Sequence, residues 1–229
     1  MTEPPFASPE IAPGADRIPA APPPRADLHD LFFRPSRFFA SALPYRATDA
    51  LAFVAWIVGM NYTLGRIERQ MVKADLGSGD GVAAGIGDSW VLFWTIVIMA
   101  GALSGMILWY LGTWWYRVRL RWSGAIEPDV HRSRAVYFYS ALVWAAPALL
   151  LQIIDTVRFP NYLASWNDES WVPVLLVILP VWSFVVSYRG VRTAFDVRRG
   201  RARFWFLIGP LLLFVIAMGV IGTMYALVA

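Results

Sequence analysis

Residues 89–116 read SWVLFWTIVIMAGALSGMILWYLGTWWY, a run without a charged side chain. A short basic segment follows, with five arginines: Arg117, Arg119, Arg121, Arg132 and Arg134. A second uncharged run then covers 135–154. About 20 consecutive apolar residues can cross a bilayer as a helix. The region therefore predicts two membrane spans joined by a basic loop.

The composition also indicates a membrane protein. Of the 229 residues, 58% are hydrophobic and 16% are charged, and the mean hydropathy is +0.50. Soluble domains carry about 25% charged residues, so we predict an all-α polytopic membrane protein. The net charge of +4 does not indicate a nucleic-acid partner, because the basic residues cluster at the ends of apolar runs. The chain has no cysteine, which excludes disulfides, zinc–thiolate sites and thiol catalysis.

The order of apolar and polar segments predicts three regions. Residues 1–26 hold eight of the 16 prolines and form a disordered Pro/Ala-rich cytoplasmic tail, with a PxxP docking peptide as the alternative. Residues 27–46 form an interfacial amphipathic segment, and residues 47–229 form the membrane domain. Its five predicted transmembrane helices are about 47–66, 89–116, 135–156, 170–190 and 204–228.

The arginines and Lys73 predict how these helices are oriented. Sixteen of the 20 basic residues lie in the tail, the interfacial segment and the second and fourth loops. The remaining four lie in the other two loops: Arg66, Arg69, Lys73 and Arg158. Cytoplasmic loops carry the excess of Lys and Arg. We therefore expect a cytoplasmic N-terminus and a C-terminus on the outside.

The interfacial segment leaves two interpretations open. Apolar side chains between Leu28 and Leu43 recur at helical spacing, and Pro35 is placed to start a fresh helix. In the first interpretation the segment lies in the membrane interface, with its arginines toward lipid phosphates. In the second, its aromatic face packs against the membrane bundle.

The candidate functional residues are basic or small. We expect anionic-lipid contact from nine arginines: Arg34, Arg37, Arg117, Arg119, Arg121, Arg198, Arg199, Arg201 and Arg203. Gly101 and Gly105 form a GxxxG pair that predicts close helix packing. Both histidines, His29 and His131, lie outside the predicted spans, so we expect no catalytic residue, metal site or cofactor. The expected partners are the bilayer, its anionic lipids, and other membrane proteins or a second copy.

Several segments, taken in order, resemble the Yip domain family of five-span membrane proteins, whose eukaryotic members bind Rab GTPases. Phe32–Phe39 resembles the family's segment before the first span, and Gly112–Gly124 resembles its glycine-bearing loop after the second. Tyr137–Ser140 followed by Pro147 resembles the start of its third span, and Trp182–Ala194 resembles the end of its fourth.

The resemblance covers roughly residues 28–228 and departs from the family in one place, where paired loop glycines are replaced by Ser123 and Gly124. It implies a five-span helical bundle with a cytoplasmic N-terminus. The bacterial branch of the family has no established common activity, so Rab partners are not carried over to this chain.

These observations predict a non-enzymatic, multi-pass protein of a bacterial inner membrane that organises the membrane or assembles with membrane partners. The alternative is a small transporter or permease-like subunit for an uncharged substrate. That alternative predicts a polar cavity near the membrane midplane, bordered by Pro147 and Pro180.

Overall fold

A computed structural model describes residues 27–43, 48–75, 82–168 and 177–228. Throughout these ranges the regular structure is helical, without a strand. The predicted proline-rich tail, residues 1–26, lies outside the described residues.

Two short helices precede the membrane bundle, α1 (Leu28–Phe33) and α2 (Pro35–Ala42). They are separated by Arg34, whose backbone is not helical (φ −135°, ψ 56°). The residue before a proline is driven away from the α region, and proline suits the first helical position. Pro35 therefore ends one helix and begins the next, as the sequence predicts.

The first half of the bundle is a long helical pair. Helix α3 (Thr48–Asp75) is followed by the short α4 (Val82–Gly87), and then by α5 (Trp90–Ile107). A π-helical turn, Leu108–Gly112, joins α5 to α6 (Thr113–Trp122).

The second half begins with α7 (Val130–Arg158), which contains Pro147. The Asp129 side chain caps this helix by accepting a hydrogen bond of 2.8 Å from the Arg132 N–H. The remaining helices are α8 (Tyr162–Trp166), α9 (Ile178–Ala194), α10 (Arg199–Arg203) and α11 (Gly209–Val228), with a second π-helical turn, Phe204–Ile208, between the last two.

Four helical stretches of the described chain are long and apolar enough to cross a membrane: 50–74, 90–122, 130–158 and 199–220. The predicted span 170–190 corresponds to α9, but residues 169–176 before it lie outside the described residues. An all-helical protein with several candidate spans is therefore observed, and the count of five stays a prediction.

One predicted loop is helical. The sequence predicts that the basic segment after residue 116 turns between spans, but Arg117, Arg119 and Arg121 all lie on α6. Arginine is a good helix former, and it stabilises the last turn of a helix by facing the negative end of the helix dipole. The turn itself is therefore confined to 123–129.

Helices α3 and α5 approach through glycine. A Cβ built on Gly59 would lie 2.7 Å from the Gly105 Cα, and one on Gly101 would lie 2.8 Å from the Met60 Cα. Only glycine fits such backbone contact, which is the packing that small residues allow between membrane helices. The structure thus places Gly101 and Gly105 at a close helix contact within the chain, with Gly59 as the third member.

The N-terminal helices pack on the bundle. Leu31, Phe38 and Phe39 are buried in the main hydrophobic core. The Trp182 indole N–H donates to the Phe32 carbonyl at 2.9 Å, so α9 also holds the end of α1. For this face the second interpretation of the segment holds, because its aromatic side chains contact protein.

Candidate functional site

The two arginine-rich connections meet at one end of the bundle. The Arg198 backbone N–H, before α10, donates to the Ser123 carbonyl at 3.0 Å, after α6. This bond joins the α6–α7 turn to the α9–α10 connection. Two basic segments that are about 60 residues apart in sequence therefore form one surface, which we call the basic end.

A glycine cap shapes the first of these connections. Gly124 has φ +100°, the left-handed region in which glycine has no steric cost. The Gly124 N–H donates to the Arg121 carbonyl and the Ala125 N–H to the Leu120 carbonyl, the two bonds of a Schellman cap. This cap ends α6 and turns the chain toward Arg198.

The basic end has a large excess of positive charge. Residues 117–134 and 189–203 hold eleven arginines against three carboxylates, Glu127, Asp129 and Asp196. Within the described ranges, the ion pairs are Arg37–Asp30 at 3.4 Å and Arg158–Asp155 at 3.9 Å, and neither involves these eleven. The exposed members are Arg121, Arg132, Arg189, Arg198, Arg199, Arg201 and Arg203.

Tryptophan rings stand beside these arginines. Trp114 contacts Trp115, Trp115 contacts Trp122, and Trp122 contacts Trp205, with ring centroids 6.3, 5.4 and 4.6 Å apart. Trp114, Trp115 and Trp122 are exposed. Exposed tryptophans concentrate at the boundary between hydrocarbon and headgroups. This chain of tryptophan contacts lies beside the basic end.

The nine predicted lipid-contact arginines are not equivalent. Arg34 and Arg37 are exposed on the N-terminal helices, and Arg37 is paired with Asp30. The Arg117 Nε donates to the Pro128 carbonyl at 3.1 Å, which holds the α6–α7 turn. Arg119 points into the bundle instead, where its guanidinium lies 4.4 Å from the centroid of the Phe206 ring.

Arg119 borders a cavity of about 210 Å³ between α3, the α5–α6 helix, α7, α9 and the start of α11. Tyr116 and Ser187 join across it, with 2.9 Å between their hydroxyl oxygens. Pro210 also lines the cavity, whereas Pro147 and Pro180 do not. The transporter alternative predicted a cavity between the latter two prolines, so the observed lining does not favour it.

The π-helical turn before α11 explains why Arg119 is held there. The Gly209 N–H donates to the Phe204 carbonyl, and Pro210 has no N–H. The Trp205 carbonyl therefore lacks both of its usual helical donors. Arg119 supplies the replacement, because its Nε and Nη2 groups both donate to the Trp205 oxygen, the former at 3.1 Å.

The sequence contains a signal for Arg119 that a loop assignment hides. On a helix, Arg117 and Arg121 share a face at a spacing of four, whereas Arg119 is rotated by about 200° from Arg117. Tyr116 precedes Arg119 by three positions and lies on its face. Placing residues 117–121 on a helix would have separated one inward arginine from two outward ones.

The opposite end of the bundle is rich in aromatic side chains, and the indole N–H groups of two of its tryptophans are hydrogen-bonded. The Trp90 indole donates to the Phe159 carbonyl at 2.8 Å, and the Trp94 indole donates to the Thr156 hydroxyl at 2.9 Å. Tyr162 stacks on Phe93 at 4.5 Å between centroids. Burial raises the pKa of Tyr162, so its hydroxyl stays protonated.

Comparison with protein families adds an identity to this geometry. The model of the Yip1 domain matches residues 30–221, from α1 to the far part of α11. The chain belongs to the Yip1 domain family. The Yip1 match therefore includes the N-terminal helices, the basic end and the cavity. Comparisons with curated proteins and with solved structures give no match. In the described part of this Yip1 chain, no group of three or more His, Asp or Glu residues is placed to hold a metal ion.

Proposed function

We propose that this Yip1-domain protein is a non-enzymatic organiser of a bacterial inner membrane, and that its basic end binds anionic lipid headgroups. The observation that carries the proposal is the joining of two arginine-rich connections at Ser123 and Arg198, beside a chain of exposed tryptophans. Charge and aromatic side chains then stand together at one level of the bundle.

The energy of such binding is substantial because the charges act together. Each arginine near an anionic membrane surface contributes on the order of 1 kcal/mol, within about a Debye length of the lipid phosphates. Exposed arginines without an ion partner in the described ranges keep their charge available for lipid. Binding to headgroups also leaves the bundle surface free for other membrane proteins or a second copy.

Four neighbouring arginines provide the test of lipid binding. We expect the combined change R198Q, R199Q, R201Q and R203Q to reduce the phosphatidylglycerol retained by the purified protein severalfold, since each lost charge weakens the attraction. Native mass spectrometry of protein extracted from mixed phosphatidylglycerol and phosphatidylcholine nanodiscs would measure the retained lipid.

The matched control changes two arginines in the C-terminal part of α3, Arg66 and Arg69. R66Q and R69Q remove charge from residues outside the basic end and should leave lipid retention within about twofold of the parent. Equal retention by the fourfold variant and the parent would contradict the proposed function.

We further propose five membrane spans, with a cytoplasmic N-terminus and the C-terminus outside. The four candidate spans and the helical α9 support this count, and the distribution of 16 basic residues against four supports the orientation. Reporter fusions should place the N-terminus in the cytoplasm and the C-terminus in the periplasm. A cytoplasmic signal from both fusions would contradict the five-span arrangement.

A further inference from the structure

The cavity beside Arg119 holds a cation without a counter-charge. Arg119 is half-buried, and among the described residues no carboxylate lies within 4.0 Å of its guanidinium. Arginine does not lose its proton in proteins. Burying such a charge is costly unless it is paired. The cavity is therefore positively charged and lacks an anion from the described chain.

The hydrogen bonds leave donors for a ligand. Arg119 uses Nε and Nη2 on the Trp205 carbonyl, so three of its five N–H groups remain. In the Tyr116–Ser187 pair, one hydroxyl donates to the other. The accepting hydroxyl therefore keeps its own O–H as a donor for a ligand. The Tyr137 hydroxyl, also in the lining, has no hydrogen-bond partner among the described residues. A surplus of donors around one positive charge suits a group that only accepts, such as a phosphate.

The serine hydroxyls deeper in the cavity do not add to this polarity. Ser140 donates to the Tyr137 carbonyl at 2.9 Å, and Ser183 donates to the Pro180 carbonyl at 3.0 Å. Both bonds are local to their own helices. The neighbouring lining side chains Val58, Leu108 and Phe184 are apolar. The cavity therefore changes from charged at Arg119 to largely apolar farther in.

Depth along the helices follows the same order. Arg119 lies three residues from the end of α6, about 5 Å, whereas Leu108 lies 14 residues from that end, about 21 Å. The charged part is thus at headgroup level, and the apolar part reaches toward the hydrocarbon. Tyr62, which also lines the cavity, is 39% exposed on the outer face of α3. Tyr62 is the exposed member of the lining, so we infer that the cavity opens toward the bilayer beside this ring.

The volume decides what kind of ligand fits. Sites that enclose a whole drug-sized molecule measure roughly 300–1,000 Å³, and this cavity measures about 210 Å³. It has room for a headgroup and the first methylene groups of an acyl chain, while the rest of the chain must lie outside, in the bilayer. An ion free in solution would use the charged part and leave the apolar part unfilled.

We propose that this cavity binds one lipid whose phosphate headgroup carries a net negative charge, with the phosphate on Arg119 and its neighbouring hydroxyls and the chain leaving beside Tyr62. The site goes beyond lipid binding at the exposed basic end, because it is internal, holds a single molecule and does not use Arg198, Arg199, Arg201 or Arg203.

Calorimetry on the full-length protein in uncharged maltoside micelles tests the site. The probes are oleoyl lysophosphatidic acid, oleoyl lysophosphatidylcholine with the same chain, and inorganic phosphate without a chain. In the R198Q, R199Q, R201Q and R203Q background, which weakens binding at the exposed basic end, we expect one saturable site for lysophosphatidic acid and at least tenfold weaker binding of the other two. R119Q should weaken lysophosphatidic acid binding at least tenfold, since hydrogen bonds from a charged group are the strong ones.

The controls separate this site from folding and from the surface. R69Q removes an exposed arginine that lies outside both the basic end and the cavity lining, and it should change the dissociation constant less than twofold. The fourfold arginine variant of the basic end should also retain the internal site, so failure of either proposal is distinguishable from failure of the other. Y137F keeps the ring, removes one donor and should weaken binding about threefold; it serves as the test if R119Q does not elute as a folded protein.

Three results would overturn the proposal. Equal affinity of R119Q, Y137F and the parent for lysophosphatidic acid would show that the phosphate does not bind in this cavity. Equal binding of lysophosphatidylcholine would show that the cavity does not recognise a net negative headgroup. Equal binding of inorganic phosphate would show a site for a soluble anion and not for a lipid.

Discussion

Replacing Phe39 with alanine should lower the free energy of unfolding by about 3–5 kcal/mol. The Phe39 ring is 0% exposed. It lies so close to α9 that a Cβ on Gly190 would meet the ring at 2.7 Å, and it forms an edge contact with Phe38 at 5.3 Å. Truncating a buried aromatic side chain loses these contacts and leaves a cavity. Unfolding in mixed dodecyl sulfate and maltoside micelles, followed by circular dichroism, measures the change.

Phe33 is the matched control for this substitution. It lies six positions earlier, on α1, and is 71% exposed. F33A should change the free energy of unfolding by less than about 0.5 kcal/mol. If F39A and F33A cost the same, the N-terminal helices do not pack on α9 as described.

Replacing Gly59 with valine should cost about 3 kcal/mol and separate α3 from α5. The new side chain would overlap the backbone of both Gly101 and Gly105, and backbone cannot rotate away as a side chain can. Overpacking a tight contact costs roughly 1–3 kcal/mol even where neighbours adjust. The same titration in mixed dodecyl sulfate and maltoside micelles measures the lost free energy of unfolding. A thermal unfolding scan measures the loss of stability independently.

Gly65 provides the comparison on the same helix. A Cβ there would meet only a flexible Glu68 carboxylate oxygen at 3.9 Å. G65A should therefore be neutral or stabilising by up to about 1 kcal/mol, because alanine favours helix more than glycine does. Tolerance of valine at Gly59 would show that the two helices are farther apart than the structure has them.

The sequence predicts the apolar helices well because their signal is strong and local. A run such as 89–116, with no charge in 28 residues, has few alternatives to a membrane helix. The break at Pro35 follows with equal directness, because proline restricts its own backbone and that of Arg34. These features depend on neighbouring residues and not on the remote parts of the chain.

The cavity could not be predicted in this way because it depends on contacts between distant segments. Trp205 lies 86 residues from Arg119, and its free carbonyl results from a π-helical turn next to Pro210. A π-helical turn has no strong sequence signature. The basic residues near 117 also looked like a loop, since charge usually ends a membrane span. A helical assignment puts Arg119 and Arg121 on different faces, and the three-dimensional structure shows that the face of Arg119 is the inward one.

The interpretation of the N-terminal segment was open for a related reason. An amphipathic helix with Phe38 and Phe39 on one face fits the surface of a bilayer or the surface of a protein equally well. The deciding residue is Gly190, 151 positions after Phe39, which leaves room for the Phe39 ring. Helical periodicity reports that a face is apolar, but it does not report what covers that face.

The glycine contact between α3 and α5 limits how the bundle can change shape. At Gly59, Gly101 and Gly105 the two backbones meet without side chains between them, so no rotamer change can let one helix slide past the other. Helices α3 and α5 should therefore turn and tilt together as one rigid body. Any widening of the Arg119 cavity must then come from its opposite wall, where α9 and α11 meet through the rings of Phe184 and Phe214.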